Sequence, residues 1–281
     1  MRVLVTGATG YLGRAVVPEL RFSGHDVICP GQRLHEPFDA TGVDAVVHLA
    51  ALGNVRESFE QPLRYYDVNV AGTLNLLSHL DGQRFVLAST AAVYGAPAAQ
   101  PISESAPRAP LSPYAASKAA AEDLVTWTAS SGRIGGAVLR IFNAAGGDDT
   151  NTDRVITRAV GSVLGRVADF PVYGDGSAVR DFVHVRDIAR AVVVTLEHSE
   201  AGSSAVYNVG ACPASVRDVL SAVERVTGRV VDVTWRPAHP GEAPEVRADT
   251  SRLRALGWRP EHSSLDRFVS DAWGPGPGRG R

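Results

Sequence analysis

The sequence predicts an α/β protein: a doubly wound parallel sheet followed by a smaller α/β lobe. Three observations carry this. Short apolar runs recur at RVLVTG (2–7), HDVIC (25–29), DAVVHLAA (44–51), RFVLAST (84–90) and GAVLRIFN (136–143), as expected of strands buried on both faces. Between them lie stretches with helical spacing, GRAVVPELRFSG (13–24), PLRYYDVNVAGTLNLLSHL (62–80) and SPYAASKAAAEDLVTWTA (112–129). Strands alternating with helices make a parallel sheet the expected topology. The third observation is GATGYLG (7–13), a glycine-rich turn at the junction of the first strand and first helix.

The glycines of that turn stand at 7, 10 and 13. Gly7 suits a tight turn, Gly10 lets the backbone approach a pyrophosphate, and Gly13 allows close helix–sheet packing. Phosphates then rest on the helix N-terminus. In this position the motif points to a dinucleotide and makes the sheet Rossmann-type, but it says nothing of the reaction. Only fourteen residues separate Cys29 from Asp44, too few for a crossover helix and a further strand. The second βα unit is therefore expected to be shortened, with PFDAT (37–41) as the remnant of a third strand.

After about residue 145 the pattern loosens. A helix near 153–166, VYGDG (172–176), VRDFVHVRDIARAVVVTLEH (179–198), VYNVG (206–210), a helix near 214–227 and a strand near 229–234 follow. The expected organisation is a dinucleotide-binding domain over 1–145, with segments near 178–195 returning to it. A second, substrate-binding lobe covers 146–273, and GPGPGRGR (274–281) forms a tail too poor in apolar residues to fold.

Whole-chain features bound the function. The chain has 281 residues, 44% of them hydrophobic, and a formal net charge of −2. That charge gives no electrostatic reason to expect nucleic acid or an anionic membrane as partner. No run approaches the length of a membrane span, and MRVLVTGATG lacks the plan of a secretion signal. Cys29 and Cys212 are expected as buried free thiols in a reducing cytoplasm, and the histidines show no metal-ligand spacing.

SPYAASK places Tyr114 and Lys118 four residues apart, one turn along one helix face. A phenol has a pKa near 10, so acting as a base near neutrality requires lowering it by roughly three units, about 4 kcal/mol. An ammonium one turn away, aided by a positive nicotinamide ring, is suited to that. The spacing is common on surface helices and is weak alone. LASTAAVYG puts Ser89 and Thr90 at a strand end, where open α/β sheets carry their sites, although such a pair more often only caps backbone.

Together these motifs resemble the extended short-chain dehydrogenase/reductase family, its NAD-dependent epimerases and dehydratases, and most closely the UDP-glucose 4-epimerase branch. The resemblance extends through HLAA (48–51), YYDVNVAGT (65–73), PISESAP (101–107), LRIFNAAG (139–146), VRDFVHVRDIA (179–189), YNVG (207–210) and ADTSRLRALGWRP (248–260). It implies Thr90, Tyr114 and Lys118 as catalytic residues. It implies that Gly7, Gly10, Tyr11, Leu12 and Gly13 wrap the pyrophosphate, that Leu49, Ala50 and Ala51 line the adenosine side, and that Asn69 helps hold the cofactor. Asn143 and Arg180 would grip the diphosphate of a sugar nucleotide, and Glu242 the nucleoside ribose. A pairing of Arg180 with Asp181 or Asp187 is the bland alternative. The helices at 62–80 and 114–129 pair subunits in this family, which implies a homodimer with Leu124 and Trp127 facing outward.

The implied reaction is 4-epimerisation of a nucleotide sugar, with tightly bound NAD. Dehydratases of the family carry Asp and Glu after the catalytic Thr; here Ala91 and Ala92 follow Thr90. Two departures stand out. Gly31 replaces the aspartate that holds the adenosine ribose, with Arg33 nearby and Asp39 as a substitute acid; this leaves NADP, and with it an NADPH-dependent 4-ketoreductase, as the alternative. His239 stands where the family commonly has an arginine. A dinucleotide sensor is the remaining reading, disfavoured because sensors typically lose the Tyr–Lys pair.

Overall fold

In this computed structural model the structure describes residues 1–31, 34–36, 38–238 and 243–274. The first strand, β1 (Arg2–Thr6), sends Val3 and Val5 into one apolar cluster and Leu4 into another. Apolar residues on both faces require cover on both faces, and the rest of the domain supplies it. The glycine turn leads into α1 (Gly13–Phe22), then β2 (Asp26–Ile28) and β3 (Ala45–His48). Helices α2 (Val55–Glu60), α3 (Pro62–Tyr66) and α4 (Gly72–Ser78) follow, the last two joined by a π-helical turn over Asp67–Ala71. Strand β4 (Arg84–Thr90), helix α5 (Pro113–Ser130) and strand β5 (Gly135–Ile141) complete this stretch.

The chain then alternates between two regions: β6 (Asn143–Ala145), α6 (Val155–Val163), β7 (Phe170–Tyr173), β8 (Val179–His184), α7 (Val185–Glu197) and β9 (Ser204–Val209). It ends with β10 (Cys212–Ser215), α8 (Val216–Thr227), β11 (Val233–Arg236), β12 (Glu245–Val246), α9 (Ser251–Ala255) and α10 (Leu265–Trp273). The main sheet runs β2-β1-β3-β4-β5-β9 and is parallel throughout. On one face α1 and α7 bury Val16, Leu20, Ile188, Val192 and Leu196; on the other α4 and α5 bury Leu76, Leu77, Ala121 and Val125. A second sheet centres on β8, flanked by β10, β12 and β6, and β11 pairs with β7. Helices α6, α8 and α10 close its core with Ile156, Val160, Val219, Val223 and Phe268.

Several expectations change in detail. Residues 38–41 form no strand; Phe38 is buried against the cluster of α4 and α5 instead. The sheet thus ends at β2, beside β1. The run 136–143 divides at Phe142, where the chain leaves the main sheet for β6. The helix expected over 62–80 contains the π turn, which periodicity cannot reveal because one extra residue shifts the phase locally. Cys29 is exposed rather than buried, Cys212 is half-buried, and both are free thiols. Leu124 packs partly against the core, whereas Trp127 is exposed. Among the described residues no helix is long and apolar enough to cross a membrane.

Candidate active site

The glycine turn folds as its sequence requires. Gly7 has φ 70°, and a Cβ there would stand 2.6 Å from the Ala50 nitrogen; a Cβ at Gly13 would overlap the Gly7 carbonyl oxygen. Only hydrogen fits at either place, so strand end, turn and helix head are packed backbone to backbone.

Ser112 sets the phase of α5. Its hydroxyl accepts from the Ala115 N–H at 3.2 Å, and Pro113 takes the first helical position, an N-terminal combination with no steric or hydrogen-bond penalty. Tyr114 therefore stands in the first turn and Lys118 one turn on. Tyr114 is half-buried, its ring edge-on to Tyr65 with centroids 6.3 Å apart. Lys118 is buried.

One cavity of about 660 Å³ collects most of the expected residues: Gly7, Gly10, Tyr11, Leu12, Gly13, Leu49 and Ala51, with Thr90, Tyr114, Lys118, Asn143 and Arg180. Thr90 stands with the Tyr114 phenol on the cavity wall and accepts from the Ala92 N–H at 3.2 Å. Burial pushes the phenol above its ordinary value, while the nearby Thr90 hydroxyl and the charge of Arg154 act the other way. Burial pushes the Lys118 ammonium down to about 8, with the Glu122 carboxylate opposing it.

Arg180 donates to the carbonyls of Val179 at 2.9 Å and Ala243 at 3.0 Å. The neighbouring acids have other tasks. Asp181 accepts from the backbone N–H groups of Ala211, Cys212 and Ala248, and Asp187 from Glu261, His262 and the Ser263 hydroxyl. Each clamps chain segments together. Asn143 lines the cavity and donates to the Asp181 carbonyl at 3.2 Å.

Three expected residues lie elsewhere. Asn69 is 1% exposed and sits behind the wall. Its amide donates to the Leu52 carbonyl and Ser117 hydroxyl and accepts from the Leu52 N–H. It shapes the loop after Ala51 and does not itself face the cavity, because the π turn aims it inward. Asp39 is exposed in a separate shallow depression with His79 and Asp81, bonded to the Thr41 N–H at 2.8 Å. It cannot serve as the substitute ribose acid from there. Ala50 contributes backbone packed on Gly7, its N–H directed to Thr6. Arg33, His239 and Glu242 lie outside the described residues.

Behind the glycine turn runs a directional chain of hydrogen bonds. The Ala50 N–H donates to Thr6 Oγ1 (3.3 Å), leaving the Thr6 hydroxyl to donate to His48 Nδ1 (2.7 Å). On the other side Thr73 donates to the Asn69 carbonyl (2.7 Å), so its oxygen accepts from His48 Nε2 (3.0 Å). His48 is thereby fixed as the neutral Nε2–H tautomer. Burial, with the Lys118 charge adding to it, holds the imidazole down to about 3.

The pattern of the NAD dependent epimerase/dehydratase family matches residues 3–210. The chain belongs to this family. A UDP-glucose 4-epimerase of Azospirillum brasilense is 35% identical, with 96% of this chain and 90% of the relative covered. Their alignment spans 315 positions, more than the 281 residues available here, so the relative carries segments that this chain lacks. Among solved structures, UDP-glucose 4-epimerase from Brucella ovis in complex with NAD is 30% identical with a TM-score of 0.90, covering 96% of each chain. The UDP-glucose 4-epimerase from Stenotrophomonas maltophila, with bound NAD and formylated UDP-arabinopyranose, is 28% identical with a TM-score of 0.88 and covers 97% of each.

Within this epimerase/dehydratase frame the cavity holds groups that motif reading missed. Asp149, Asp153 and Arg154 line it before and at the head of α6. Arg154 lies over the Tyr11 ring, 4.1 Å from its centroid, and pairs with Asp149 at 2.8 Å; Asp149 also accepts from Thr157. Tyr11 donates to the Gly146 carbonyl and Arg14 to the Asp148 carbonyl, so the loop before α6 is tied to the glycine turn. The usable signal was position: sites of open sheets gather beyond the carboxyl ends of strands, where GDDTNTDR lies.

Proposed function

We propose that this chain is a nucleotide-sugar 4-epimerase that takes a UDP-sugar through a 4-keto intermediate with retained NAD. The observation that carries the reading is the placement of Thr90 and Tyr114 beside buried Lys118, in the cavity shared by the glycine turn and Arg180. The cradle suits a dinucleotide, because no side chain could occupy Gly7 or Gly13 and the helix head favours phosphate. When bound, NAD supplies a reversible hydride acceptor.

The chain's own residues handle the proton and the positioning. Tyr114 takes the proton from the sugar 4-hydroxyl and later returns one to the 4-keto oxygen. Thr90 orients the phenol and hydrogen-bonds the same oxygen. The Lys118 cation favours the phenolate, as opposite charge does in a water-poor site. Arg180 and Asn143 hold the diphosphate, with the guanidinium matching phosphate in charge and shape. Dehydration would need an acid and a base next to Thr90, where Ala91 and Ala92 stand. The cavity carboxylate of Asp149 is taken up by Arg154 and Thr157.

A second reading, an NADPH-dependent 4-ketoreductase, is favoured by one observation: Gly31 stands where the resemblance places the ribose acid, and Asp39 lies in a separate depression. Inversion at C4 of UDP-glucose or UDP-galactose, followed by NMR without added dinucleotide, separates the two. Mass spectrometry of the dinucleotide released on denaturation accompanies it. Inversion with released NAD is expected; NADP, or sugar reduction that consumes NADPH, would replace the epimerase reading.

We also propose a cytoplasmic homodimer. Phe59, Leu63, Tyr66, Leu74 and Trp127 are exposed on α2, α3, the π turn's flank, α4 and α5, elements that pack on one another. A second copy would cover such apolar helices. Analytical ultracentrifugation should find twice the chain mass, and Trp127→Glu should shift it towards the monomer. A native protein sedimenting as a monomer at micromolar concentration would refute the dimer.

A further inference from the structure

Among the described residues none of α10 lines the cavity, yet one of its side chains grips the loop that leads into it. Asp271 of α10 accepts from the Gly147 N–H at 2.7 Å and from His184 Nε2 at 2.7 Å, both through Oδ2. The second bond has a fixed direction. His184 Nδ1 accepts from the Arg186 N–H at the head of α7, so Nε2 carries the proton. His184 is fully buried, its ring stacked on Phe268 of α10 with centroids 5.9 Å apart. A Cβ at Gly146 would stand 2.4 Å from that imidazole, so the loop is packed directly on the ring. On its other side the loop is tied to the glycine turn. The Tyr11 hydroxyl donates to the Gly146 carbonyl at 2.8 Å, and Arg14 to the Asp148 carbonyl at 3.1 Å. Further along the loop, Asp149, Asp153 and Arg154 line the cavity.

We propose that Asp271 is a positioning residue that clamps the loop 146–154 against Tyr11, and that this clamp retains the dinucleotide on the glycine turn and sets the wall facing the sugar nucleotide. Helix α10 does not need the carboxylate to stay in place, since Phe268 and Val269 are buried in the core of the second region. Oδ2 serves the loop and the histidine, while Oδ1 turns to the half-exposed Arg267 at 2.9 Å. Without Oδ2, the Gly147 N–H and the His184 Nε2–H both lose their acceptor, which costs more than a neutral bond because that acceptor is charged. The loop is then held from the glycine-turn side alone. Thr90, Tyr114 and Lys118 stand on β4 and α5, outside the clamp. Holding the ligands and moving the proton are therefore separable.

The clamp rests on the dinucleotide reading of the glycine turn, but release can be timed for whichever dinucleotide the protein carries, so failure of the epimerase reading would not decide it. Loaded protein is diluted into a trap for free dinucleotide. Hydrogen exchange read by mass spectrometry follows the backbone amides of 146–154. Asp271→Ala should release the dinucleotide about tenfold faster, as loss of hydrogen bonds to a charged acceptor implies. Exchange should rise in 146–154 and stay unchanged in α5. With active enzyme, KM for the UDP-sugar should rise while kcat stays within about twofold. Asp271→Asn keeps an oxygen for both donors and should match the native protein, although it too loses the Arg267 ion pair. Should Asp271→Ala fail to fold, Tyr11→Phe removes the facing bond to Gly146, leaves an aromatic ring under Arg154 and should speed release likewise. Native release from folded Asp271→Ala or from Tyr11→Phe would overturn the proposal. So would release from Asp271→Asn as fast as from Asp271→Ala, because the acceptor would then be irrelevant.

Discussion

Tyr114→Phe should lower turnover about 10³-fold, within the range for loss of a positioned acid–base group. The same substitution should leave fold and dinucleotide content intact. The ring stays against Tyr65, and the lost phenol oxygen lies at the cavity beside Thr90, where water can replace it. The protein's own groups hold the phenol above its ordinary value because burial outweighs Thr90 and Arg154. A cationic nicotinamide ring and the Lys118 ammonium would work in the opposite direction. Turnover, thermal unfolding and dinucleotide content of the purified variant are the measurements. A loss of less than tenfold would remove Tyr114 from the role of base.

Acid should destabilise the protein sooner than titration of its carboxylates would predict. The native His48 binds a proton only near pH 3, whereas an unfolded histidine binds one near 6.5. Between those values the unfolded state holds more protons, so stability rises with pH and is lost as pH falls from 6.5 towards 3. The full shift corresponds to roughly 5 kcal/mol, comparable with the whole stability of a marginal domain. His25, lowered by burial and by the chain's amino terminus, adds in the same direction. Urea denaturation at pH 7, 6, 5 and 4.5 should give steadily falling midpoints, and His48→Asn should be less stable at pH 7 but have a flatter profile. A wild-type midpoint constant from pH 7 to 5 would contradict the neutral, doubly bonded imidazole.

The shared face of Tyr114 and Lys118 was legible because SPYAASK spaces them four residues apart in a run of helical pattern, whereas the capping by Ser112 came from the structure. The glycine turn was legible because steric exclusion at Gly7 and Gly13 is a property of residue type. Long-range pairing was not. Glu122 lies among alanines in what reads as an ordinary helix, and its partner Arg140 stands in a run otherwise apolar. Nothing local joins positions eighteen residues apart. Family likeness gave Asn69 a ligand role, while the fold assigns its amide to Leu52 and Ser117. Asp39 shows the converse: a suitable residue type on a segment the shortened β2–β3 connection carries to another surface.

The pairing of β9 with β5 has a practical side. The main sheet is finished by a strand made only after β6, α6, β7 and β8 of the second region have been traversed, and α7, which covers one of its faces, is also late in the chain. During synthesis, the first 145 residues emerge with Leu139 and Ile141 still lacking the partners that Ile188, Val192 and Val209 supply. A fragment ending there should be insoluble, and expressing the two regions as separate polypeptides should fail unless they meet during folding. Engineers who wish to exchange substrate preference by grafting will need to replace interleaved loops, since no single cut in the chain separates one half of the cleft from the other.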